Sequence, residues 1–196
     1  MSNIRGSEHP LWINIKKFNR KELETLKEIL PFYIINTIQD SYSYRGFSVE
    51  ELGWPSNIWN TGALKDQLFH VANLTVGYNL HIAQKLDEMS DACKLAHLEN
   101  DFYHNYHDER IAIYVDSHSN LVLSIFKHIR NALAHGRFIM VPMGDDYSFV
   151  MESVDNNKQT LIVKARIVLK ASTLLKWKEI VLKGPQEENI RKRKKK

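Results

Sequence analysis

The chain has 196 residues, of which 43% are hydrophobic and 26% charged, enough to close one globular core and too polar for a membrane protein. Its single cysteine, Cys93, excludes an intrachain disulfide and fits a reducing compartment. The net charge of +4 is local: residues 191–196 carry six of the 27 basic side chains, leaving 21 against 23 acidic ones, so the body does not have the charge of a basic nucleic-acid binder.

Residues 1–18 read as an irregular N-terminal segment, with Pro10 and Trp12 tucked onto the body. No apolar run follows Met1–Gly6 and no stretch approaches a membrane span, which predicts a cytoplasmic protein with no membrane partner. Asn19 followed three residues later by Glu22 is a capping-box pattern. Leu23, Leu26, Ile29 and Leu30 then repeat at helical spacing. Pro31 breaks or kinks this helix and Phe32–Ile38 resumes it. Residues 41–60 read as a loop rich in aromatics (Tyr42, Tyr44, Phe47, Trp54, Trp59), which fold back on the core in preference to stacking nucleobases. Thr61 is expected to cap a long helix to about Met89, through Leu64, Leu68, Val71, Thr75, Tyr78, Ile82 and Leu86. Ser90-Asp91 caps a further helix from Ala92, whose stripe of His97, Asn100, Asp101, His104 and Asp108 is a solvated face rather than a metal site. Ile111–Val115 reads as the end of that helix or a short strand.

Residues 119–134 form the most amphipathic helix. Val122, Ile125, Phe126, Ile129, Ala132 and Leu133 share one face; Ser124, Lys127, His128, Asn131 and His135 form a polar stripe, with Arg130 at the seam. Gly136 supplies the left-handed position past the helix end. Three of these residue types suit RNA cleavage through the 2′-hydroxyl. Histidine transfers protons near neutral pH, arginine offers a charged fork matched to phosphate, and asparagine orients its neighbours by hydrogen bonds. At 100° per residue Arg130 and His135 stand about 140° apart around the axis, so a second copy of the helix is needed to bring both to one phosphate.

After the motif the period changes to two. Residues 137–141, 147–154 and 161–169 are strands separated by the turns at Gly144-Asp145-Asp146 and 155–158, forming an antiparallel meander. A helix follows over about 172–183, stopped by Gly184-Pro185. The fold expected is mainly α (α+β): a helical bundle over 19–136 carrying the motif, a small meander and C-terminal helix over 137–184 in the same domain, and a basic tail over 185–196.

Arg130-Asn131, three residues, then His135 resembles the signature of the HEPN superfamily, whose ribonuclease members carry it on the last helix of a small bundle. The match covers six residues, with Gly136 in the common following position. The resemblance implies a metal-independent endoribonuclease with no cofactor, a homodimer acting on RNA as a toxin or phage-defence effector, with an antitoxin or defence partner protein. On it, Arg130, Asn131 and His135 are catalytic; Lys127 and His128, on the same polar stripe, are candidate substrate contacts, with an exposed helix residue as the alternative for His128. Members paired with a nucleotidyltransferase antitoxin often carry tyrosine two residues after the histidine. Arg137 stands there, and the following strands are more like those of stand-alone members from plasmids and defence loci. The alternative is a non-catalytic module of the same fold that binds RNA or protein.

Because the body is slightly acidic, the tail should supply the long-range attraction to RNA. Removing residues 191–196 is expected to weaken RNA binding and flatten its salt dependence, since fewer counterions are released, while leaving cleavage at saturating RNA unchanged. Binding titrations across a salt series check this; an unchanged slope contradicts it.

Overall fold

In the computed structural model the described residues are 4–7, 12, 18–35, 50–55, 57–157 and 160–185. Pro10, the aromatics at 42, 44 and 47, the proposed helix residues 36–38 and the basic run at 191–196 lie outside them.

Helix α1 (Arg20–Leu30) starts as its sequence demands. Asn19 Oδ1 accepts the Glu22 amide at 2.9 Å while Glu22 Oε2 accepts the Asn19 amide at 2.7 Å. Pro31 has no amide to donate, and the helix passes into a π-helical turn over Pro31–Ile35 that buries Phe32 and Tyr33. A short helix α2 (Ile58–Thr61) is separated from α3 (Ala63–Val71) by Gly62 in the left-handed region.

The long helix expected to Met89 is not formed. α3 ends at Val71, Asn73 takes a positive φ of 48°, and the chain turns through Gly77 into strand β1 (Leu80–Ala83). Asn79 fixes this turn: its side chain accepts the Thr75 amide and donates to the carbonyls of Asn73 and Glu109. The helical spacing of the apolar residues was overridden by turn formers and by a non-local strand pairing. Likewise, the helix expected beyond Ala92 is only α4 (Met89–Leu95), ending at His97 with φ 55°. A 3-10 turn at Phe102–His104 precedes strand β2 (Arg110–Tyr114), so the 97–108 stripe is not a helix face. Ile111, Ala112 and Ile113 are all buried because both faces of β2 are covered, which removes the alternation that marks a half-exposed strand.

Helix α5 (Leu121–Ala134) is capped by Asn120, whose Oδ1 accepts the Val122 amide at 2.8 Å. Strands β3 (Phe138–Met143), β4 (Asp146–Asn157) and β5 (Thr160–Lys170) form the expected meander, followed by α6 (Ala171–Lys183). The meander is not a small appendage. It is part of a five-stranded mixed sheet of order β1-β2-β5-β4-β3, in which only β1 and β2 are parallel. The fold is therefore α+β around a substantial sheet.

One face of the sheet, with Phe138, Phe149, Met151, Ile167 and Leu169, packs against α5 and α6, on which the π turn and α3 pack in turn. Tyr33 stacks on Phe126 at 5.7 Å and donates to the Leu174 carbonyl. Trp177 lies against Phe126 and donates to the Leu68 carbonyl, and Trp54 donates to the Val181 carbonyl. These bonds let large polar-tipped aromatics sit fully inside the core. The opposite face, with Ala112, Val150, Val163 and Val168, is covered by α4, Phe102 and the N-terminal residues Ile4 and Trp12. Among the described residues no helix is long and apolar enough to cross a membrane.

Candidate functional site

The end of α5 is closed by a six-to-one bond from the Arg137 amide to the Ala132 carbonyl at 2.8 Å and an inner bond from the Gly136 amide to the Leu133 carbonyl at 3.2 Å. Gly136 sits at φ 65°. This is the Schellman arrangement that the His135-Gly136 pair predicts. It presents His135 as an exposed C-cap residue, beside the last helical carbonyls.

Arg130 and Asn131 occupy the preceding turn, both half-buried. Arg130 Nη1 donates to Asn131 Oδ1 at 3.0 Å, and Arg130 Nε is buried with no hydrogen-bond partner among the described residues. The guanidinium is thus held by its neighbour rather than by His135. The structure brings Arg130 and Asn131 together and leaves His135 separate on the helix end.

The polar stripe is not a solvated face. Ser124 and His128 are buried; Lys127 remains exposed. His128 Nδ1 lies 2.9 Å from Ser153 Oγ on β4, a pairing that the neutral imidazole can make in either tautomer. Burial, reinforced by the charge of Lys127, pushes the imidazole down to about 4. His128 is a pin between helix and sheet.

Beside it lies a cleft of about 80 Å³ lined by Lys127, His128, Asn131, Ser153, Asp155 and Lys164 among others. A β-bulge lies in its wall. Pairing passes from Ser153↔Ala165 to Val154↔Val163, skipping Lys164. Lys164 Nζ lies 3.3 Å from Asp155 Oδ2 and 4.8 Å from the Tyr114 ring centre. The same bulge puts Val163 on the opposite face from Ala165, although the sequence alternation placed them together.

Sequence reasoning missed the charged group behind the motif. Glu152, fully buried, bonds Arg166 Nε through Oε2 at 3.0 Å and Arg137 Nη2 through Oε1. Arg166 Nη1 also donates to the Leu98 and Glu99 carbonyls, and its guanidinium lies over the Phe102 ring. The available signal was an acid and a base at the centres of two adjacent strands, directly opposite in register.

A larger cavity of about 380 Å³ lies at the other end of β2, near Tyr78, His97, His107, Arg110 and Lys170. Arg110 there is committed to Asp108 at 3.0 Å and to the Ala96 carbonyl, and Glu109 Oε1 accepts the Lys170 amide at the start of α6. Among the described residues no group of three or more His, Cys, Asp or Glu is placed to hold a metal ion. No protein-family model, curated protein or solved structure matches the chain.

The folded-state value for His128 lies below the ordinary one of 6.5, so the unfolded chain binds the proton first as pH falls. Stability from this group is complete above about 6.5 and is lost towards 4. Between pH 7.5 and 5.0 wild type should lose about 2 kcal/mol more than His128→Gln, measured by denaturant unfolding. Equal losses contradict the assignment.

Proposed function

We propose that the chain is a metal-independent HEPN-type endoribonuclease, a toxin or phage-defence effector working as a homodimer on RNA. The reading is carried by the exposed imidazole of His135, set at a well-closed helix end one turn beyond an arginine whose fork is oriented by Asn131.

In this mechanism His135 accepts the proton of the ribose 2′-hydroxyl. The 2′-oxygen bonds to phosphorus, the bond to the 5′-oxygen breaks, and the leaving oxygen takes up a proton, so the product is a 2′,3′-cyclic phosphate. Arg130 neutralises charge on the phosphorane oxygens, and Asn131 holds the guanidinium in plane. No metal or cofactor is invoked. Lys127, exposed two turns before His135, contacts the substrate backbone, while His128 supports the helix beneath it.

A single chain does not aim Arg130 and His135 at one point. A second copy with its α5 end facing the first brings its Arg130 opposite the first copy's His135. The outward side of α5, with Leu123, Lys127, Arg130, Ala134 and His135 all at least partly accessible, supports that arrangement. The bond between Arg130 and Asn131 within one chain is also what a non-catalytic RNA- or protein-binding module would retain, and it favours that reading if no cleavage occurs.

Cleavage should proceed in excess chelator, leave a cyclic phosphate, and fail on RNA with 2′-deoxyribose at the cut. His135→Ala and Arg130→Ala should each lower the single-turnover rate about a hundredfold or more. RNA binding without cleavage, equal in wild type and both variants, supports the binding module instead.

A further inference from the structure

Arg137 follows His135 by two residues and is fixed at three points. Its amide closes the helix on Ala132, its carbonyl accepts the Glu152 amide at 3.0 Å, and its guanidinium bonds Glu152 Oε1. Only His135 and Gly136 lie between the helix and this anchor. The anchor is itself rigid, because Arg166 holds the second oxygen of Glu152 and is tied to two backbone carbonyls.

The N-terminal segment completes the enclosure. Ile4–Gly6 pairs with β5 through the bonds Gly6 N to Leu161 O, at 2.8 Å, and Val163 N to Ile4 O, at 3.1 Å. Ser7 then gives its amide to Glu152 Oε1 at 2.9 Å and takes Arg137 Nη2 on its carbonyl at 2.5 Å. The approach is so close that a Cβ on Gly6 would lie 2.9 Å from Val154 Cγ1 and 3.3 Å from Arg137 Nη2. Trp12 lies under the guanidinium, with Arg137 Cζ 5.5 Å from its ring centre.

From this geometry we infer that Arg137 is a positioning residue, which holds the His135 end of α5 through Glu152 and the N-terminal strap of residues 4–7. The inference rests on the ribonuclease reading for its catalytic consequence, but the positioning itself belongs to the uncomplexed protein. A terminal helical turn without such an anchor frays, and its side chains sample many orientations. A displacement of about 1 Å in a proton-transfer group is enough to cost about a hundredfold in rate.

Arg137→Gln is the test variant, because Arg166 still compensates the buried Glu152 carboxylate and the chain keeps its fold. Amide hydrogen exchange of full-length protein should show Gly136 and Arg137 exchanging about tenfold faster or more, with Val150 and Met151 unchanged. Cleavage should lose about a hundredfold in kcat with KM within about twofold, and Arg137→Lys, which keeps a cation at Glu152 Oε1, should restore part of it. A purely structural role would lower the unfolding midpoint without selective exposure of Gly136 or a kcat effect at a temperature where the variant is folded. Unchanged exchange at Gly136 overturns the inference, as does faster exchange with kcat unchanged. If wild type cleaves no RNA the ribonuclease reading fails by itself, and the exchange data still decide whether Arg137 positions the helix end.

Discussion

Glu152 is a carboxylate with no access to water, gripped on one oxygen by Arg166 and on the other by Arg137. Desolvating such a group costs several kcal/mol, and removing one partner from a buried pair typically costs about 3–5 kcal/mol. The carboxylate therefore needs its fully buried partner Arg166, and it is held most firmly when Arg137 and Ser7 are in place as well. That requirement propagates outward. Arg166 fixes the 98–99 turn after α4, Arg137 fixes the exit of α5, and Ser7 brings the N-terminal segment across β5. Elements far apart in sequence are made to meet at one side chain on β4.

The other side of β4 sets the body of α5. Successive residues point to opposite faces, so Ser153, next to Glu152, faces the helix and meets His128. α5 is thus held twice by one strand: from beneath by His128 and Ser153, and at its end by Arg137 and Glu152. The accessible side of the helix is broad and carries Lys127, Arg130 and His135. The catalytic reading places its chemistry on that side, where the helix is well supported on its inner face and open on its outer.

Cap and stop signals held in part: the caps expected of Thr61 and Ser90-Asp91 are not formed, since α3 starts after Gly62 and α4 already starts at Met89. Asn19 with Glu22, the Gly136 stop, the turn at Gly144 and the helix end at Gly184 each name a backbone requirement that a neighbour cannot change. The long helix expected through residues 80–83 fails by non-local pairing: its apolar spacing suits a helix, yet these residues become β1 beside β2, while the short strand left open at Ile111–Val115 is formed as β2. Asn73, Gly77 and Asn79 were the warning within the supposed long helix. At the site, helix, cap and motif were legible in the sequence, whereas the burial of Ser124 and His128 was not, because a polar stripe does not announce the serine waiting on β4. Arg137 was legible only as a departure from the pattern the sequence resembles; its partner Glu152 and the bulge at Lys164 depend on strand register.

In the proposed ribonuclease, Arg130 of one copy serves with His135 of another. Subunit exchange between Arg130→Ala and His135→Ala chains, each nearly inactive alone, tests it most directly. A shared site predicts that an equal mixture regains about a quarter of wild-type RNA cleavage, because half of the dimers are mixed and each contains one intact Arg130 opposite one intact His135. A mixture as inactive as its parents, with mixed dimers demonstrably formed, would contradict it.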